Sequence, residues 1–455
     1  MVKASKPVPT PTRSSRLSTQ QVKSSKADHW LLRRLLDFIG QPPINLVLWD
    51  GSSIRPQHAD AIAEVIIHDR AALRKLVSNP DFEFGEMYSS GRIEIGGDLA
   101  ECLVGVYRAL RAAGFTGGVR DRFLKAFARP AHNDPVKARE NIHHHYDIGN
   151  DFYRLWLDEQ LVYTCAYFPT PDMPLEQAQI AKLEYVCRKL RLKPGQRVVE
   201  AGCGWGALAL HMARHHGVTV KAYNLSGEQI AFARERARRE QLGERVEFIQ
   251  DDGRNIAGEF DAFVSVGMLE HIGVEGYGEL GDVIDRVLND DGRGLIHSIG
   301  RDRPGPLNSW IQRRIFPGAY PPSISEMMAL FEPKGFSVLD IENLRLHYAR
   351  TLEHWLRRYE ANSAQVAEMF DDTFVRVWRL YLAGSQAAFT TGSMQLFQVV
   401  FNRSGNNALP WTRDYLYREP LLCPVSHHQG HKCHDGIQAI DKYALDHVLV
   451  RKPTI

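Results

Sequence analysis

The sequence predicts an α/β protein: a doubly wound, mostly parallel sheet preceded by a small N-terminal α+β domain. Three observations carry that expectation. Five apolar, strand-like runs alternate with helix-like stretches between residues 197 and 299, the pattern of parallel strands joined by crossover helices. The first run, Val198-Val199-Glu200-Ala201, stops at Gly202-Cys203-Gly204-Trp205-Gly206 and passes into a Pro- and Gly-free stretch from Ala207 to His216, which reads as strand, tight turn and helix start. Glycines there let a ligand approach the backbone, and the helix N-terminus offers free N–H groups and a positive dipole end. Finally, 455 residues exceed one typical core and suggest two or three domains.

Hydrophobic content of 44% with a mean hydropathy of −0.31 fits a soluble chain, and no apolar run of about 18 residues predicts a spanning helix. Six cysteines without CxxC pairs point to reduced thiols in a cytoplasmic setting. The net charge of +2 is uneven. Residues 1–27 hold Lys3, Lys6, Arg13, Arg16, Lys23 and Lys26 with no acid, which leaves 50 basic against 54 acidic side chains in the remainder. This Pro-, Ser- and Thr-containing tail is expected to be disordered and suits anionic lipid headgroups or plain solvent; a transit peptide fits it less well for want of an amphipathic pattern. No nucleic-acid partner is expected.

The small domain is expected over 28–125. It opens with a helix from Asp28 through Trp30, Leu35 and Ile39 to the Pro42-Pro43 stop, and continues with β-like Asn45 to Trp49 and Ala63 to Ile67. A helix near Ala71 to Val77, a Gly-rich stretch from Phe84 to Gly97 and a helix from Asp98 to Ala113 follow. Arg129 to Asn141 reads as a linker, and the main domain is expected over 126–403. Adjacent histidines at His143, His144 and His145 invite a metal, but neighbours on one element do not converge on one ion, so a structural or cofactor-covering role is expected instead. The His427, His428, His431, Cys433 and His434 group in the extension 404–455 has zinc-ligand types but no second spaced pair. No metal is assigned.

In the main domain a helix is expected over Gln177 to Leu190, and strands at Val218 to Tyr223, Arg245 to Gln250, Phe260 to Val266 and Gly294 to Ile299. Ser226-x-x-Gln229 reads as a capping box opening the helix after the second of the five strands. Ligands of such sheets sit at the carboxyl ends of the strands, so the Gly loop, Asn224 to Gln229, Asp252 and Glu270 share the candidate edge. Phe336 to Ile341 and Gln395 to Asn402 would extend the sheet, the last antiparallel. Helices are expected at Thr351 to Phe370 and Thr373 to Phe389, and Trp310 to Phe331 as a flexible apolar lid or wall. The loop disfavours a dinucleotide, because its third glycine comes one residue early and Asn224 replaces an acid at the second strand's end; a nucleoside-type ligand is expected.

Glu200-Ala-Gly-Cys-Gly-Trp-Gly206, Asn224-Leu-Ser-x-x-Gln229, Val264-Ser-Val-Gly-Met-Leu-Glu-His271, His145-Tyr-Asp-Ile-Gly-Asn-Asp-Phe-Tyr153 and Tyr163-Thr-Cys-Ala-Tyr-Phe168 together resemble the cyclopropane fatty acid synthases and their mycolic acid relatives. The resemblance runs from about Asn141 to Asn402, and Phe84-Gly-Glu-Met-Tyr88 with Ile93-Glu-Ile-Gly-Gly-Asp98 resembles the small lipid-side domain of bacterial members. It implies a class I, Rossmann-like methyltransferase that takes S-adenosylmethionine as donor and an unsaturated phospholipid in the bilayer as acceptor, as a cyclopropane-fatty-acyl-phospholipid synthase does. Tyr163, Thr164, Gly202, Gly204, Asn224, Leu225 and Gln229 would hold the cofactor. Relatives usually carry Ser at the position of Thr164 and Thr at that of Asn224. Cys165, Glu270, His297, Ile299 and Tyr348 would form the catalytic set around a bicarbonate ion that deprotonates a carbocation. There His297 and Tyr348 would donate, Glu270 would accept, and the Cys165 and Ile299 N–H groups would complete the cradle. Read without the resemblance, Cys165 is a buried small hydrophobe and His297 a satisfied core histidine. The resemblance further implies reversible, peripheral contact with the inner face of the membrane, and two-domain members are often homodimers. A related enzyme making methyl-branched or methylene acyl chains, one methylating an amine, or an inactive lipid-binding protein are the competing readings.

Overall fold

Ser25 starts the first helix, and it does so with its neighbour Asp28. The Ser25 hydroxyl accepts from Asp28 N, Asp28 accepts from Ser25 N at 2.8 Å, and the helix runs over Lys26–Phe38. Arg70 donates to Asp28 at 2.7 Å, and that hydrogen bond holds the carboxyl down at about 2. A computed structural model describes residues 23–56, 60–113 and 148–417. The helix therefore begins inside the stretch expected to be a disordered tail, because a reciprocal cap and the half-buried Arg70–Asp28 ion pair fix it there. Residues 1–22, the linker, the three adjacent histidines and the histidine-rich tail lie outside the described residues.

The small domain carries four strands, two more than its sequence suggests: β1 (Ile44–Leu48), β2 (Ser53–Ile54), β3 (Ala63–Ile67) and β4 (Ile93–Gly96), in the order β2-β1-β3-β4. Strand β4 and a helix over Pro80–Ser89 occupy the Gly-rich stretch. That helix has Pro at its first turn, where the missing N–H costs nothing. Helices Arg70–Ser78 and Leu99–Ala112 complete the unit, capped by Asp69 and Asp98.

The large sheet has seven strands: β5 (Arg197–Ala201), β6 (Thr219–Asn224), β7 (Val246–Gln250), β8 (Phe260–Val266), β9 (Leu288–Arg301), β10 (Phe336–Asn343) and β11 (Met394–Arg403). Their order is β10-β11-β9-β8-β5-β6-β7. Strands β5 to β9 are parallel, and β11 enters between β9 and β10 antiparallel to both. The chain leaves β5 for β6 on one side and returns with β8 on the other, so the switch-point crevice opens at the carboxyl ends of β5 and β8. Helix Leu175–Leu190 begins two residues earlier than expected, and the later helical region divides into Arg345–Ala361, Ser363–Met369 and Asp372–Thr391.

Trp310 to Phe331 is a fixed wall. A helix over Ser309–Arg314 is pinned to the small domain by Ser309 N to Asp81 at 3.0 Å, Trp310 Nε1 to Glu86 at 3.1 Å and Arg314 to Glu86 at 2.6 Å. Gly85 makes room for it, since a Cβ there would lie 2.4 Å from the Trp310 ring. Arg376, on helix Asp372–Thr391, grips the same domain through the Tyr88 and Ile93 carbonyls at 2.6 and 2.8 Å. Among the described residues no helix is long and apolar enough to cross a membrane. Of a second unit that begins at Arg413, the described residues make one helical turn, Asp414–Tyr417.

Candidate active site

At the end of β5 the chain turns through Gly202, Gly204 and Gly206 at φ of +86°, +52° and +82°, left-handed values that cost side-chain-bearing residues energy. Gly206 also lacks space, since a Cβ would meet the Phe248 ring at 2.6 Å. It is the N-cap of helix Ala207–His216 and offers no side chain to that end, which leaves first-turn N–H groups for a ligand. At Gly204 an added Cβ would meet nothing within 4 Å, so this side of the loop is open.

Asn224, ending β6, ties the loop to the next helix. Its Nδ2 donates to Gly204 O at 3.4 Å and to Gln229 Oε1 at 2.6 Å, while its Oδ1 accepts from Leu225 N at 2.9 Å. Only half of the expected capping box forms: Ser226 accepts from Gln229 N, but the Gln229 side chain turns to Asn224 instead of back to the cap. Asp252 is engaged by Arg254 at 2.6 Å and caps a short turn, outside the cavity wall.

A cavity of about 1180 Å³ gathers eleven of the twelve expected site residues. Tyr163, Thr164, Gly202, Gly204, Asn224 and Gln229 line it, as do Cys165, Glu270, His297, Ile299 and Tyr348. Leu225 does not. Tyr163 stands in an aromatic box, its ring centre 5.2 to 5.4 Å from those of Tyr153, Trp156 and Trp355, and its hydroxyl meets that of Tyr381 at 2.8 Å. Of Tyr153, Trp156, Tyr163 and Trp355 only Tyr163 lines the cavity, with the other three buried behind it.

Glu270 follows β8 and is buried. Its Oε1 accepts from Ile299 N at 2.5 Å, its Oε2 has no hydrogen-bond partner among the described residues, and burial pushes its carboxyl up to about 7. His297 lies on β9 opposite Gln398 of β11. The amide Gln398 Nε2 donates to His297 Nδ1 at 3.0 Å, so the ring carries its proton on Nε2, an atom likewise without a partner among the described residues. Burial pushes His297 far below its ordinary value, so the ring is neutral. One expectation needs correction: the Ile299 N–H assigned to an anion is already taken by Glu270. Cys165 donates to Ala166 O at 3.1 Å and burial drives its thiol well up, which makes it unreactive.

Lys182 escaped the sequence reading. It is fully buried and donates from Nζ to Thr164 Oγ1 at 3.0 Å beside Glu200, whose carboxyl burial pushes up to about 8. A signal was present, since Ala178, Lys182 and Val186 stand four apart on one buried helix face. Gln398 and Tyr381 carried no such signal, because only strand register and helix packing bring them in.

A mostly parallel sheet in this order, with antiparallel β11 and a glycine loop feeding a helix at its switch point, is the fold of class I S-adenosylmethionine-dependent methyltransferases. Known proteins narrow the class. Residues 133–399 match the family model for mycolic acid cyclopropane synthetase, and residues 31–113 match a domain of unknown function. A probable fatty acid methyltransferase of Pseudomonas putida is 35% identical over 387 residues, covering 83% of this chain and 96% of the relative. The cyclopropane-fatty-acyl-phospholipid synthase of Escherichia coli (strain K12) is 39% identical over 266 residues, covering 58% of this chain and 68% of its own. The crystal structure of mycolic acid cyclopropane synthase CmaA1 complexed with SAH and CTAB superposes with a TM-score of 0.56 at 30% identity, over 58% of this chain and 98% of that one. The chain belongs to the mycolic acid cyclopropane synthetase family.

Proposed function

We propose that the protein is a cyclopropane-fatty-acyl-phospholipid synthase, adding a methylene from S-adenosylmethionine across the double bond of an unsaturated phospholipid acyl chain. The continuity of the cavity carries the reading. It runs from the glycine loop past Glu270 and His297, along Trp310 and Phe316, to Leu35, Ile44, Leu46 and Val65 inside the small domain. At about 1180 Å³ it exceeds the roughly 300–1,000 Å³ of ordinary ligand pockets, which suits a nucleoside and a long apolar chain together.

The open loop at Gly202 and Gly204 and the uncapped helix end fit the cofactor, with Tyr163, Thr164, Asn224 and Gln229 beside them. Once bound, the cofactor supplies an electrophilic sulfonium methyl. Tyr163, Tyr348, Phe316 and the apolar wall exclude water and offer rings to the cation that develops on the chain. Glu270 Oε2 and His297 Nε2, two buried polar atoms in need of partners, fit a hydrogen carbonate ion, one accepting its O–H and the other donating. Held there, the ion supplies a base where a bare carboxylate would be costly to bury. Arg301, Arg303 and Arg313 line the same cavity, which supports an anionic headgroup and peripheral contact with the inner membrane face.

A second reading draws on the Pseudomonas putida relative, a probable fatty acid methyltransferase matched along 96% of its length: a methyl-branched or methylene chain. Mass spectrometry of monounsaturated phospholipid vesicles incubated with protein and S-adenosylmethionine separates the two. A product gaining one CH₂ and resisting hydrogenation, lost in Glu270→Gln, supports the ring. A product that gains one CH₂ and takes up hydrogen supports the methylene reading, and one that gains CH₂ plus two hydrogens only when a hydride donor such as a reduced nicotinamide is added supports the branched chain. No lipid product despite cofactor binding refutes both.

A further inference from the structure

Behind the glycine loop, away from the cavity wall, four side chains of two packed helices converge. Glu184 and Cys187 stand three apart on Leu175–Leu190 and so share a face, and His211 and His216 come from Ala207–His216. One ligand atom each from Cys187, His211 and His216 lie within 4.8 Å of one another. Both imidazole Nε2 atoms turn to the same oxygen, Glu184 Oε2, at 3.3 and 3.0 Å, while Arg188 Nε donates to Oε1 at 3.2 Å. Cys187 is wholly buried, His211 nearly so, and Glu184 and His216 are partly exposed.

We propose that Cys187, His211, His216 and Glu184 bind a divalent cation of the zinc class. Two imidazoles and a thiolate select zinc or cobalt over magnesium and calcium, which take oxygen ligands. A thiolate and a carboxylate together balance the dication, which a buried site requires. Bond lengths of about 2.0–2.3 Å put tetrahedral ligand atoms about 3.4–3.6 Å apart, so Cys187, His211 and His216 have little more than about 1 Å to close, and Glu184, hydrogen-bonded to both imidazoles, is at hand as the fourth ligand. His216 is the ligand able to move, because it ends its helix beside Gly217 at φ +65° and touches solvent. As the metal–sulfur bond forms, the Cys187 proton leaves to solvent, and no other bond changes. Four protein ligands leave no open position, so the ion is a staple. It fastens the helix that begins at the cofactor loop to the helix that carries Lys182, and it takes no part in methyl transfer.

The test uses the full-length protein, stripped with a chelator and titrated with Co²⁺ and Zn²⁺. One Co²⁺ per chain should bind with a thiolate-to-cobalt charge-transfer band that Cys187→Ser abolishes and Cys102→Ser, in the small domain, leaves intact. Zinc at about a hundredfold excess over its dissociation constant should raise the wild-type Tm by about 3 °C. In His216→Ala, at the partly exposed position, Co²⁺ affinity should fall at least tenfold and the zinc shift should drop to about half or less. His216→Ala alone carries the test if Cys187→Ser fails to fold. Absence of saturable Co²⁺ binding, a band surviving in Cys187→Ser, or unchanged affinity in His216→Ala would overturn the site.

Discussion

Glu270→Gln removes a charge from the cavity and little else. A glutamine retains an oxygen to accept from Ile299 N, now at 2.5 Å, and fills the same volume. The wild-type carboxyl titrates at about 7 in the fold against an ordinary value of 4.5, with burial as the leading cause. Below the ordinary value both folded and unfolded chains hold the proton, and the residue is neutral to stability. As pH rises toward 7 the unfolded chain releases its proton and the folded chain does not, so stability falls through that window and stays lower above it. Each pH unit is about 1.4 kcal/mol, which makes the whole loss about 3 kcal/mol as an upper bound. Urea unfolding should therefore find Glu270→Gln more stable than wild type by about 2–3 kcal/mol at pH 8, with most of the difference gone at pH 5, while lipid turnover falls at least about a hundredfold. A stability difference independent of pH, or a variant less stable at pH 8, would refute the burial of that charge.

Gln398→Leu leaves His297 Nδ1 buried without its donor, so turnover should fall by about 1–3 kcal/mol in activation free energy, with binding of S-adenosylhomocysteine by calorimetry unchanged. Gly206→Ala forces a left-handed φ of +82° and a Cβ 2.6 Å from Phe248. Thermal unfolding should report about 2–4 kcal/mol lost, and calorimetry should find cofactor-product binding weakened at least tenfold. Gly85→Ala drives a methyl into the Trp310 ring at 2.4 Å and should displace the wall from the small domain. Lipid turnover should drop while affinity for S-adenosylhomocysteine stays within about twofold, because the disturbed contact lies at the small-domain end of the cavity, away from the glycine loop.

What the sequence disclosed and what it withheld divide along the range of the interaction involved. The Gly202-x-Gly204-x-Gly206 turn, the strand before it and the helix after it are set by neighbours in the chain, and β5, β8 and the helix Ala207–His216 stand within a residue of where periodicity put them. Strand β4 was lost among glycines, because four residues at the edge of a sheet make a weak alternation. The expected capping box failed by half for a reason no local rule contains: Asn224, from a different strand end, competes for Gln229 and wins with a bond of 2.6 Å. His297 makes the same point more sharply. Read alone it is a core histidine, and it does have a core partner, yet that partner's identity decides its chemistry. Gln398 arrives 101 residues later on an antiparallel strand whose register places it opposite His297, and an amide nitrogen there can only donate. That one bond fixes the imidazole proton on Nε2, facing the cavity beside Glu270. A residue capable only of accepting at position 398 would reverse the tautomer and turn His297 Nε2 into an acceptor, so Gln398→Glu should lower lipid turnover while S-adenosylhomocysteine binding by calorimetry stays unchanged.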